Sequence, residues 1–78
     1  MAIVQLYAAA RAAAGTPRLE LDANDLSTLI DRLKVEYPQL GRVLLQSTYL
    51  LNGTACKDLS TTLTSKDQID VMPRYAGG

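Results

Sequence analysis

Gln68-Ile69-Asp70-Val71-Met72-Pro73-Arg74-Tyr75-Ala76-Gly77-Gly78 is the stretch whose reading decides the fold. Its first five residues alternate, with Ile69 and Val71 turned one way and Met72 the other, the period-two signature of a strand. Pro73, without an N–H to give to a ladder, ends that strand. The residues that follow close on two glycines. Neither has a Cβ, so both can pass a channel too narrow for a side chain. Gly78, read as the last residue, carries a backbone carboxylate. A core-anchored strand leading into a side-chain-free tether with a terminal carboxylate is a device for presenting that group to an enzyme that activates it. Glycine-rich termini also fray without purpose, so the rest of the chain has to supply a holder.

Seventy-eight residues, 47% of them hydrophobic, make one domain with a single small core. The eight basic and eight acidic side chains cancel, and the basic ones are scattered from Arg11 to Arg74. No field of one sign points to nucleic acid. One cysteine and no histidine leave no internal disulfide, no soft-ligand metal site and no Ser/His/Asp set. The apolar run after Leu6 is broken at Arg11, too short for a membrane span or a signal peptide. A cytoplasmic protein with no metal and no bound cofactor is expected.

Ala2 to Tyr7 is rich in strand formers, with Val4 and Leu6 facing a core and Tyr7 a candidate exposed aromatic. Ala8 to Ala14 has high helix propensity but is short enough to predict about one turn inside a longer loop, stopped at Gly15. Arg18 to Asp22 alternates around Leu19 and Leu21 and predicts a strand antiparallel to the first. Asp25 reads as the N-cap of the main helix, whose apolar stripe is Leu26, Leu29, Ile30, Leu33 and Tyr37 and whose stop is Pro38. Gly41 to Gln46 reads as a short helical turn. Thr48 to Leu51 reads as a third strand, hairpinned through Asn52-Gly53 to a short fourth over Thr54 to Lys57. Leu59 and Leu63 are expected to pin an irregular loop, and Cys56 to be an inert thiol on an edge strand. Arg11 reads as an ion-pairing or carbonyl-binding residue.

One amphipathic helix needs an apolar sheet face to cover. The fold class is therefore α+β: a β-grasp, with a mixed sheet of four to five strands and one main helix packed across it. Residues 1-72 form the domain and 73-78 a flexible tail. For the last strand to lie centrally beside the first, the two would run parallel, and the tail would then leave from the middle of the sheet.

The run Leu6-Tyr7-Ala8-Ala9-Ala10-Arg11-Ala12-Ala13-Ala14-Gly15, then Leu51-Asn52-Gly53, then the final strand with Pro73 and Gly77-Gly78, resembles in content and order the MoaD/ThiS family of sulfur carriers, which share the ubiquitin-like β-grasp fold. The front motif and the loop between helix and third strand are most similar to the molybdopterin synthase small subunit. Where the family often has a second proline and an aliphatic residue, this chain has Arg74 and Tyr75, a departure that bears on partner choice.

The resemblance implies a sulfur carrier in molybdopterin, hence molybdenum cofactor, biosynthesis. ATP, consumed by an E1-like adenylating enzyme of the MoeB/ThiF type, converts the Gly78 carboxylate to an acyl-adenylate. A persulfide donor then leaves a thiocarboxylate, whose sulfur is transferred inside the large synthase subunit, of the MoaE type, where the catalytic groups are expected. Gly77 and Ala76 thread the constriction, while Tyr7, Met72, Pro73, Arg74 and Tyr75 face the partners, with Leu50 or Ala55 beside them. Delivery of sulfur to thiamine or cysteine synthesis, or conjugation as a ubiquitin-like protein modifier, are the alternatives.

Overall fold

The computed structural model describes residues 1–74. In chain order the elements are β1 (Ala2–Leu6), α1 (Ala8–Ala14), β2 (Arg18–Leu21), α2 (Leu26–Glu36), a 3-10 turn (Pro38–Leu40), α3 (Gly41–Leu45), β3 (Ser47–Leu51), β4 (Thr54–Ala55) and β5 (Gln68–Pro73). The five strands form one sheet in the order β2-β1-β5-β3-β4. β1 and β5 pair in parallel, with Val4 opposite Ile69 and Leu6 opposite Val71, and the other neighbours are antiparallel.

Alternation sorts the two faces of this sheet. Val4, Leu6, Ile69 and Val71 are buried on the face that α2 covers with Leu26, Leu29, Ile30 and Leu33. Each fully buried leucine contributes about 2 kcal/mol by removing its surface from water. The Asp25 carboxylate accepts the Thr28 N–H at 2.8 Å, capping α2 as expected, and Pro38 follows its last turn. Asn52 and Gly53 both take positive φ, 49° and 88°, the geometry of a tight hairpin turn between β3 and β4. This is the ubiquitin-like β-grasp, with all five strands present.

Several local expectations need correction. Residues 8–14 form a seven-residue helix rather than one turn in a loop. Such a helix is too short to hold itself, but Ala10 is fully buried and α1 packs on β5, α3 and the 3-10 turn. Its stop at Gly15 is as read, with φ 77° and the Gly15 N–H on Arg11 O at 2.9 Å. The 3-10 turn was not foreseen, and it buries Leu40 completely. β4 has two residues instead of four, which leaves Cys56 just past it, half-buried against the core. The chain diverges there because Asp58 organises its own turn, accepting the Ser60 N–H and hydroxyl at 2.9 and 2.7 Å. Leu63 pins the following loop, whereas Leu59 is 51% exposed and does not. The Arg11 side chain is exposed and makes no ion pair or hydrogen bond with another described residue.

Candidate functional site

β5 is the middle strand, so whatever continues from it is held at its base by ladders on both sides. On one side Leu6 pairs with Val71, and the Tyr7 N–H reaches Val71 O at 3.2 Å. On the other, Thr48 pairs with Met72 and Ser47 with Pro73. Pro73 lies opposite a residue that asks for no N–H, which is how a proline sits inside a sheet. One step on, the Arg74 N–H donates to Gln46 O at 2.7 Å. The chain is therefore tied to β3 up to the last described residue.

The face of the sheet away from α2 collects several of the side chains singled out from sequence. Tyr7 is extended, at φ −120° and ψ 152°, and keeps the alternation of β1 for one more residue. Its ring is 40% exposed, and Met72 on the neighbouring strand is 39% exposed. Ala8 then takes φ 49°, a left-handed value that costs a residue with a Cβ about 1 kcal/mol. That strained turn sends the chain into α1 and leaves the Tyr7 ring on the sheet face.

The next level of the face runs across all five strands through Arg18, Gln5, Asp70, Leu50 and Ala55, joined pairwise by the register. Asp70 is at its middle and accepts a hydrogen bond from Gln68 Nε2 at 3.1 Å. The face is thus mixed, with Tyr7, Met72, Leu50 and Ile3 set among Gln5, Gln68, Asp70 and Thr48. Such a surface fits a partner that supplies both apolar contact and hydrogen bonds.

Tyr7, Met72, Pro73 and Arg74 are brought together at one end of the β1–β5–β3 ladder. Tyr75, Ala76, Gly77 and Gly78, which carry the tail expectations, lie outside the described residues. Behind the face, Tyr49 donates its hydroxyl to Leu44 O at 2.9 Å, and burial pushes its phenol up to about 12. This bond ties β3 to α3. Sequence reasoning missed Leu45, Leu59 and Lys34, which line a groove together with Tyr49 and Ser47. Three separate elements build it, so no single stretch could reveal it. Among the described residues no three His, Cys, Asp or Glu side chains converge as a metal site, and no helix is long and apolar enough to cross a membrane.

The sequence model of the ThiS family matches residues 4–78. No curated protein matches the chain in sequence. Among solved structures, it is similar to small archaeal modifier protein 1 from Methanosarcina acetivorans, with 29% identity, a TM-score of 0.87 and coverage of 99% of this chain and 95% of that one. It is also similar to a chain in the complex of subunits 1 and 2 of molybdopterin-converting factor from Helicobacter pylori, with 26% identity, a TM-score of 0.77 and coverage of 99% and 97%. A chain of the Amycolatopsis orientalis BexX/CysO complex, at 16% identity, shares the fold with a TM-score of 0.83 over the full length of both chains.

Proposed function

This chain belongs to the ThiS family, and on that premise we propose that it is a sulfur carrier of molybdopterin synthesis whose reacting group is the Gly78 carboxylate. A carboxylate is a poor electrophile, so a partner adenylating enzyme uses ATP to convert it to an acyl-adenylate, releasing pyrophosphate. The terminal sulfur of a persulfide donor attacks the acyl carbon and AMP leaves. Thiol cleavage of the resulting S–S bond leaves a C-terminal thiocarboxylate. Gly77 and Ala76 let the end enter the active sites of the activating enzyme and of the acceptor subunit. Tyr7, Met72, Pro73, Arg74 and Tyr75 form the docking surface around its base.

The observation that carries this reading is the placement of β5. It is central, laddered on both sides, and reaches Pro73 beside the exposed Tyr7 and Met72, while the family match runs on through Gly78. A short tether on a rigid base loses little entropy when it enters a constriction. The similarity to a chain found in complex with subunit 2 of molybdopterin-converting factor supports a large synthase subunit as acceptor. The test is reconstitution with a MoeB/ThiF-type enzyme, ATP and a persulfide donor, followed by intact-protein mass spectrometry. One oxygen-for-sulfur exchange, absent when Gly78 is deleted, is the expected result, and an unchanged mass sinks the reading.

A second reading has its own support, because the chain is 29% identical to a small archaeal modifier protein. Activation would then end in an isopeptide bond to a lysine. Lysine-linked adducts of the tagged chain in host extracts, lost on deletion of Gly78, would favour conjugation over sulfur delivery.

A further inference from the structure

β3 has a full partner on one side and half of one on the other. β5 pairs with all of Ser47–Leu51, whereas β4 pairs only with Leu50 and Leu51. One further bond, from the Cys56 N–H to Tyr49 O at 2.8 Å, closes the hairpin, and the chain then leaves the edge. The bond from the Arg74 N–H to Gln46 O fixes the parity of the β3–β5 ladder. Antiparallel pairs alternate between bonded and non-bonded, so Thr48 and Leu50 turn their backbone groups to β5. Ser47 and Tyr49 turn theirs the opposite way. The N–H and C=O of Ser47 and the N–H of Tyr49 therefore face the open edge with no backbone partner among the described residues.

The side chains along this edge divide by face. Thr48, Lys57 and Arg74 line one groove, on the side of the sheet away from α2. Leu44, Leu45 and Ile30, with Lys34 at the rim, line an adjoining groove on the α2 side, and Ser47, Tyr49 and Leu59 are common to both. Leu45 is 80% and Leu59 51% exposed. No Asp or Glu lines either groove, and Lys34, Lys57 and Arg74 have no acidic partner among the described residues. The adjacent Asp58 carboxylate accepts from Ser60 and lines neither groove.

We propose that the Ser47–Tyr49 edge is a β-augmentation site that takes an extended segment of a partner protein in which acidic and apolar residues alternate. Side chains of an added strand point to opposite faces in turn. One set would reach Leu45 and Leu59, and the other Lys57 and Arg74. Charge decides against a second copy of this chain, since a two-fold pairing of the edge sets Lys57 and Arg74 against their own counterparts. The site needs only the edge and its two faces, and it stands whether or not Gly78 is thiocarboxylated.

The test uses the full 15N-labelled chain titrated with a capped peptide of alternating glutamate and valine, and with a lysine–valine peptide as control. The expected result is movement of the Ser47 and Tyr49 amides, slowed solvent exchange at both, and binding that weakens with added salt. A Lys57→Glu/Arg74→Glu double variant, both positions being exposed, should keep the amide pattern of the core and lose about tenfold in affinity, the sum of two exposed ion pairs. Equal binding of the lysine–valine peptide overturns the proposal. So do shifts confined to Asp70 and its neighbours on the outer face, and so does a titration that leaves the Ser47 and Tyr49 amides unmoved. Concentration-dependent dimerisation through those same amides would assign the edge to a second copy and equally overturn it.

Discussion

Gly15 ends α1 at φ 77°, and a Cβ built there would meet nothing within 4 Å. The cost of a side chain at this position is therefore conformational alone, and Gly15→Ala is expected to destabilise the fold by about 1 kcal/mol, read from the denaturant midpoint. Gly15→Asn should lose less, because Asn tolerates the left-handed region. Gly15, the Asp25 cap and the Asn52-Gly53 turn were legible in the sequence because each is a local backbone demand that only a few residue types satisfy. Tyr49 was not, since its role depends on Leu44 O, which only the folded chain brings within 2.9 Å. Burial raises its phenol to about 12, above an unfolded value of about 10, so the fold favours the neutral form. That contribution is complete below about pH 10 and is lost as pH rises towards 12. Tyr49→Phe should remove this alkaline fall and cost about 1 kcal/mol at neutral pH, where Leu44 O loses its donor. At the acid end the signs reverse. Asp67, which accepts from Asn52 Nδ2 and the Thr64 N–H, and Asp25, which accepts from the Thr28 N–H, are both held below the usual carboxylate range. Their contribution is present above the unfolded value of about 3.9 and fades as pH falls through the lowered one.

α2, β2 and β5 were readable as elements because their apolar residues repeat with a period and are long enough to show it. α1 and the 3-10 turn were not, for the opposite reason. Seven residues that are mostly alanine carry no stripe, and the three residues Pro38–Leu40 carry no period at all. Each exists because it packs on the other: α1 lies against the 3-10 turn, and Ala10 and Leu40 are both fully buried. Leu40→Ala is therefore expected to cost about 2–5 kcal/mol, the range for emptying a core leucine site. Amides of α1 should lose protection before those of β5. Leu45→Ala, five residues on and 80% exposed, should change stability by no more than about 0.5 kcal/mol. The pair separates a leucine that assembles elements from one that faces outward, a distinction that composition around positions 40–45 does not make.

For the whole molecule, the order β2-β1-β5-β3-β4 places the last strand where its backbone bonds are protected from both sides. The centrality of β5 was legible through the β-grasp arrangement, in which the last strand lies beside the first and parallel to it. The brevity of β4, and with it the open Ser47–Tyr49 edge, was not, since it follows from where Asp58 pulls the chain away. Unequal pairing implies unequal opening. Ile69, Val71 and their partners Val4 and Leu6 are at most 2% exposed, and β5 cannot detach without breaking two ladders. Their amides should exchange only through global unfolding, at the full stability of about 4–12 kcal/mol expected for a chain of this length. Amides in residues 54–62, held by a two-residue ladder, the Asp58 turn and the bonds of Leu59 O and Thr61 O to the start of α2, should exchange at lower free energy. Native-state hydrogen exchange followed by NMR distinguishes these classes. If β5 amides instead open with the 54–62 group, the strand is not a fixed base, and presentation of the Gly78 carboxylate from a rigid platform loses its physical ground.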